Sequence, residues 1–244
     1  MADGRLPIEA EWTAALPGSI AKIRAFTLIE LLTVIAVIAI IAAMIFPVAR
    51  TVKRQTILHS AQAQMAQLQT ALERYKSVYG FYPPASAWAL TNQLYYELEG
   101  TFITNVGGAP AYMTLDHLSS ISASPVTLSS VFGPGVGGFM NCNKPGADEA
   151  AARAENFLLE LNTNQFTTVT VAGTSVNLLV SPVGGPDTTY TPLGLIDVNP
   201  WRYVYPGTNN PGSYDLWIQL AIAGKTNLVC NWDKQVQINN NALR

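Results

Sequence analysis

Residues 24–50 read RAFTLIELLTVIAVIAIIAAMIFPVAR, and the only charged residue between Arg24 and Arg50 is Glu30. A helix rises about 1.5 Å per residue, so about 20 apolar residues cross the hydrocarbon core of a bilayer. Few soluble helices are apolar on every face over such a length. The stretch therefore predicts a single membrane-spanning helix over residues 26–49.

Glu30 is the exception within this apolar stretch. An acidic side chain near the start of a membrane span is costly unless it is paired, which makes it a functional candidate. A carboxylate that simply reaches from the helix end to the interface is the plainer alternative.

Residues 22–32, KIRAFTLIELL, resemble the signal sequence of type IV pilins and type II secretion pseudopilins. The resemblance implies a leader over residues 1–25, which a prepilin peptidase removes on the cytoplasmic side of the membrane. It also implies that the Ala25–Phe26 bond is the one cut and that the new amino group of Phe26 is methylated. The family usually has Gly where this chain has Ala25.

The same resemblance assigns roles to two residues of the apolar stretch. Cleavage leaves a positive amino group at Phe26. Glu30 could reach this amine or the amine of a neighbouring subunit, and the resemblance favours the neighbouring subunit. Such a pair offsets two desolvation penalties and sets the axial register of a filament. Pro47 would introduce a kink, because proline removes one backbone hydrogen bond of the helix.

Residues 50–80 predict an amphipathic continuation of the helix. Apolar residues recur there at steps of three and four, as one helix face requires: Leu58, Ala61, Met65, Leu68, Leu72 and Tyr75. Gly80 is predicted to end the helix, and Pro83 and Pro84 prevent it from resuming.

Residues 81–244 are predicted to form a globular head. Its C-terminal pattern resembles the major pseudopilin of type II secretion systems, in residues 199–206, 214–217 and 231–233. The alternation there predicts an antiparallel hairpin joined by PGTNNPG. The resemblance implies an α+β, pilin-like fold, with the long N-terminal helix packed on a small antiparallel sheet and an inserted region.

The inserted region, residues 85–198, shows little of that resemblance. We predict a helix at 90–98, a helix at 148–161 and a hairpin within TTVTVAGTSVNLLV, residues 167–180.

No cofactor is predicted for this chain. Many family members bind calcium in a loop near the C-terminus. Residues 218–230 are predicted to form the corresponding loop here, but they carry no acidic residue. Only Asp215 and Asp233 flank them, so a calcium site there has few carboxylate ligands. Cys142 and Cys230 form either a disulfide, which an oxidising compartment permits, or two buried free thiols.

The sequence is compatible with three functional classes. The first is a pseudopilin, a subunit of a periplasmic filament, and the alternative is a subunit of a type IV pilus or DNA-uptake filament. A membrane-anchored enzyme is disfavoured because the sequence has no HExxH, no GxSxG and no His-based dyad. The net charge of −2 argues against nucleic acid as a partner.

The resemblance also implies partners and a location. The partners are other copies of the chain, minor pseudopilins, the prepilin peptidase, an inner-membrane assembly platform, and membrane lipid before assembly. The location is the bacterial inner membrane, crossed once with the head in the periplasm, and then a periplasmic filament.

Overall fold

The computed structural model describes residues 26–86, 88–144, 153–159, 161–185 and 198–238, and for residues 45–51 it describes the backbone alone. The predicted leader, residues 1–25, lies outside the described residues. The chain divides into two compact units, Met1–Ala49 and Arg50–Arg244. Each is described by itself below.

The longest element is helix α1, Leu28–Tyr79. It continues through Pro47 and ends where the sequence predicts. Gly80 has a φ of +81°, which glycine adopts without the steric cost that a Cβ imposes. The Gly80 N–H closes the last turn by donating to the Lys76 carbonyl at 2.8 Å.

The head contains two short helices and eleven strands among the described residues. The helices are α2 (Leu94–Glu99) and α3 (Pro125–Phe132). In chain order, the strands are β1 (Thr101–Val106), β2 (Ala109–Thr114), β3 (Ser120–Ser122), β4 (Cys142–Asn143), β5 (Phe166–Val171), β6 (Thr174–Ser181), β7 (Asn199–Pro200), β8 (Arg202–Val204), β9 (Asp215–Ile222), β10 (Lys225–Cys230) and β11 (Gln237–Ile238).

The strands form three small sheets, with the orders β3-β2-β1-β4, β11-β10-β9-β8 and β5-β6-β7. All pairings are antiparallel except the parallel one between β1 and β4. The predicted hairpin at 167–180 is confirmed as β5–β6, with Val169 opposite Val176. The predicted C-terminal hairpin is confirmed as β8–β9, with Tyr203 opposite Leu216.

Within the second unit, α1 packs its apolar stripe into the core of the head. Leu58, Ala61, Leu68, Leu72 and Tyr75 are buried, and Met65 packs against them at the edge. The fold is therefore α+β, with the N-terminal helix packed on antiparallel and mixed sheets.

Two predictions in the inserted region need correction. The helix predicted at 90–98 begins only at Leu94, because the Asn92 side chain holds a turn by donating to the Ala89 carbonyl at 2.8 Å. The helix predicted at 148–161 is wrong over residues 153–159, which are not helical, and residues 148–152 and 160 lie outside the described part.

The non-helical segment 153–159 uses its backbone for contacts with distant parts of the chain. The Phe157 N–H donates to the Leu98 carbonyl at 2.8 Å, and the Glu155 N–H donates to the Asn141 side chain at 2.9 Å. These long-range bonds replace the local bonds that a helix would have made.

The interpretation of residues 218–230 as a loop is also wrong. They form most of the β9–β10 hairpin, whose turn is Ala223-Gly224 with φ values of +51° and +72°. Positive φ at both central residues is the geometry of a type I′ turn, which suits the twist of paired strands. Ile218, Leu220 and Ile222 place an apolar residue at every second position, and this spacing carried the signal.

Candidate assembly surface

The described start of the chain is an apolar helical surface that packs against no other described residue of its own unit. Residues 26–44, here called the apolar segment, present exposed side chains on every side, apart from the partly exposed Ala42. The large apolar side chains among them are between 47% and 82% exposed. Removing one such side chain from water is favourable by about 1.5–3 kcal/mol, so this surface strongly favours a non-aqueous environment.

The first turn of α1 is held by two side chains, Thr27 and Glu30. Glu30 Oε2 accepts the Thr27 backbone N–H at 2.9 Å and the Thr27 hydroxyl at 2.7 Å. In return, the Glu30 N–H donates to Thr27 Oγ1 at 3.3 Å. This reciprocal arrangement is a capping box, in which an N-cap threonine and a glutamate three residues later satisfy N–H groups at a helix start.

This local role of Glu30 was not predicted above. The T-x-x-E spacing of Thr27 and Glu30 is the sequence signature of a capping box and would have predicted it. The pairing of Glu30 with an amine of a neighbouring subunit stays a prediction.

The other predicted site residues of this region are placed as follows. Phe26 is 75% exposed and lies in non-helical backbone just before α1. Ala25, on the other side of the predicted scissile bond, lies outside the described residues. Pro47 lies within α1, and a kink there stays a prediction. Over the described residues, no helix meets the length and hydropathy needed for a membrane span.

Within the second unit, a buried carboxylate connects α1 to the head. Glu97, in α2, accepts the Tyr75 hydroxyl at 3.1 Å and the backbone N–H groups of Met140 and Asn141 at 2.9 and 3.1 Å. Burial raises the pKa of Glu97 to about 7, although its hydrogen bonds act in the opposite direction.

Asn141 extends this network to the end of α1. Its Oδ1 accepts the Tyr79 hydroxyl at 2.8 Å, and its Nδ2 donates to the Glu97 and Glu155 carbonyls, each at 2.7 Å. A buried amide with donors and acceptors satisfied fixes its neighbours in one arrangement. The last turns of α1 are therefore tied to α2 and to segment 153–159 by polar contacts as well as by packing.

Asp215 organises the PGTNNPG loop between β8 and β9. Its Oδ2 accepts the N–H groups of Thr208 and Asn209 at 2.8 Å and the Asn209 side-chain amide at 3.0 Å, and its Oδ1 accepts the Asn210 N–H at 3.0 Å. A calcium ion at this carboxylate would have to displace N–H donors. A calcium site near Asp215 and Asp233 stays a prediction.

Across the described part of the chain, no group of three or more His, Cys, Asp and Glu side chains is arranged to hold a metal ion. His59 and His117 are both exposed.

Cys142 and Cys230 are both free and buried. Cys142 lies in β4 of the first sheet and Cys230 in β10 of the second, which corresponds to the alternative of two buried thiols. Burial raises the pKa of each thiol.

The comparisons with known proteins bear on the start of the chain. Residues 20–46 match the family described as the prokaryotic N-terminal methylation motif, and the match covers Ala25, Phe26 and Glu30. It supports a type IV pilin-like prepilin signal, which indicates processing by a prepilin peptidase and a filament subunit. No curated protein and no solved structure is significantly similar to the chain.

Proposed function

We propose that this chain is a pseudopilin, a structural subunit of a type II secretion pseudopilus. The observation that carries the filament role is the apolar segment, exposed on every side and joined by one continuous helix to a folded head. Such a surface needs lipid or other apolar helices around it. A filament core made of parallel copies of the segment would supply these apolar helices.

The proposed sequence of events begins in the inner membrane. Residues 26–49 span it once, with the head on the periplasmic side, until the prepilin peptidase cuts the Ala25–Phe26 bond and Phe26 is methylated. An assembly platform then adds subunits one at a time, together with minor pseudopilins. Each addition exchanges contacts with lipid for contacts between helices, which pack by van der Waals complementarity in an apolar surrounding.

The pseudopilus is preferred over a pilus because of the head. The aromatic C-terminal pattern that resembles the major pseudopilin forms the buried β8–β9 hairpin. Tyr203 in β8, Trp201 just before β8 and Tyr214 just before β9 all belong to the core. A subunit of a type IV pilus or DNA-uptake filament shares the N-terminal motif and is the alternative.

The proposal is tested first by intact-mass and N-terminal analysis of the protein from membranes, with and without the prepilin peptidase. We expect a mature form that begins at methylated Phe26 only when the peptidase is present. A protein that keeps residues 1–25 in both strains would refute the filament role and leave a membrane anchor. Ala25→Glu places a charge at the cut and should block cleavage, whereas Ala25→Gly should leave it intact.

Pseudopilus and pilus are then distinguished by deletion of the gene. Loss of secretion of folded proteins across the outer membrane is expected for a pseudopilin. Intact secretion with loss of DNA uptake or surface fibres would support the alternative.

A further inference from the structure

The third sheet, β5-β6-β7, ends in an unusually long edge strand. β5 has six residues, and in the described part of the chain no strand pairs with its outer edge. The other terminal strands of the three sheets, β3, β4, β7, β8 and β11, have only two or three residues each. Short edge strands limit pairing with other chains, so β5 is the exception.

The sequence of β5 also lacks the usual protection of an edge. Residues 161–185 contain no charged residue, and their only proline, Pro182, follows β6. Lysine, proline and inward-pointing charges are the devices that commonly prevent edge-to-edge pairing. Thr168 and Thr170 of β5 are exposed.

The direction of the free backbone groups follows from the ladder between β5 and β6. The Val180 N–H donates to the Gln165 carbonyl at 2.8 Å, which identifies a hydrogen-bonded pair. Such pairs alternate along antiparallel strands, so every second residue of β5 bonds to β6. The N–H and C=O groups of Phe166, Thr168 and Thr170 therefore point outward.

The far edge of β6 differs, because other parts of the chain use its backbone groups. The Asn177 N–H donates to the Tyr96 hydroxyl at 3.1 Å, and the Leu179 carbonyl accepts the Trp201 N–H at 2.9 Å. The unpaired outer edge of the hairpin is thus on β5.

We propose that β5 pairs with β5 of a second copy of this chain, antiparallel and centred on Thr168. In this register Thr168 faces Thr168 of the second copy, and Phe166 faces Thr170. All six outward groups then form hydrogen bonds, and the uncharged threonine and phenylalanine side chains meet without repulsion. The strand is its own complement, which favours a second copy over an unrelated partner.

Pairing of this kind has twofold symmetry and closes on itself, so it joins two heads and does not propagate a filament. It is a contact of the second unit alone and does not depend on the role proposed for the apolar segment.

The test is oxidative cross-linking of the full chain in detergent micelles. The Cα atoms of a hydrogen-bonded pair lie about 5.5 Å apart, within the range of a disulfide. Thr168→Cys should therefore give several-fold more disulfide-linked dimer than Ser175→Cys. Ser175 is a matched control because it is exposed on the same hairpin, opposite Thr170, but on the inner strand.

A second substitution separates strand pairing from random collision. Thr170→Lys, added to Thr168→Cys, places a charge on the edge and should abolish the dimer while the urea midpoint of the reduced protein stays unchanged. Association through the apolar segment would raise the dimer yield of both cysteine variants equally. Equal yields, or a dimer that persists with Thr170→Lys, would overturn the proposal.

Discussion

Replacing Asp215 by Asn tests the loop that closes the β8–β9 hairpin. Asp215 is only 2% exposed, and its two oxygens accept four hydrogen bonds from the loop. Asparagine has nearly the same shape but only one acceptor atom. Its oxygen can occupy the position with three donors, and its NH₂ group then faces the Asn210 N–H.

The expected cost follows from these four contacts. One bond is lost and leaves the part-buried Asn210 N–H without its acceptor, at about 1–3 kcal/mol. The other three become bonds to a neutral oxygen, each weaker than a bond to a charged group by up to about 1 kcal/mol. Because such contributions are not fully additive, we expect the free energy of unfolding to fall by about 2–4 kcal/mol.

The assay is urea unfolding of the full chain in detergent, followed by tryptophan fluorescence. With a slope of about 2–3 kcal/mol/M, a loss of about 2–4 kcal/mol should lower the urea midpoint by about 0.7–2 M. Asp233→Asn is the matched control, since Asp233 is only partly buried and, among the described residues, accepts the Gln235 N–H and the Gln237 amide at 2.8 and 2.9 Å. Equal shifts for the two variants would refute the reasoning.

Calcium provides a second check on the same carboxylate. If Asp215 serves the loop donors alone, adding calcium leaves the wild-type midpoint unchanged. A calcium-dependent rise in the wild type that Asp215→Asn removes would show that Asp215 binds a cation instead.

Three further predictions concern pH, a turn and assembly. Burial and nearby Asp116 raise the pKa of Glu99 from 4.5 to about 8, so the folded state favours the protonated carboxyl. The stability that this provides is fully present below about pH 4.5 and is lost as the pH rises through about 8. Glu99→Gln should flatten this decline in urea midpoints measured across that range. Ala223→Asn should stabilise the head by about 0.5–1 kcal/mol, because Asn tolerates the positive φ of the turn, whereas Ala221→Asn, at an exposed position of strand β9, should not. Glu30→Ala should leave the subunit in the membrane but prevent filament assembly, and normal filaments in sheared fractions would contradict that role.

The parts of the fold that the sequence predicted are those set by local patterns. The apolar stripe from Leu58 to Tyr75 and the stop at Gly80 follow from helical spacing and from the φ that glycine adopts. The two hairpins follow from alternation and turn residues. These signals lie within a few residues of the structure that they specify.

The parts that the sequence did not predict depend on partners far along the chain. Glu97 in α2 and Asn141 near β4 meet through bonds between groups 44 residues apart, and neither belongs to a motif. The backbone N–H groups of segment 153–159 bond to α2 and to Asn141 instead of forming helical hydrogen bonds. A carboxylate that is buried among donors far along the chain has no recognisable pattern in the neighbouring sequence. Its hydrogen bonds are therefore seen only in the folded chain.

The capping box changes how an assembly defect at Glu30 must be interpreted. Glu30→Ala removes the negative charge and also the acceptor for the Thr27 N–H, so it would weaken the start of α1 whether or not a neighbour binds the charge. Glu30→Gln keeps an oxygen for the cap and removes the charge alone. Both hydrogen bonds from Thr27 use Oε2, so the cap needs one oxygen and is compatible with an ion pair to an amine. If Glu30→Gln forms filaments and Glu30→Ala does not, the assembly defect comes from the weakened helix start. If neither variant forms filaments, the defect comes from the loss of the charge.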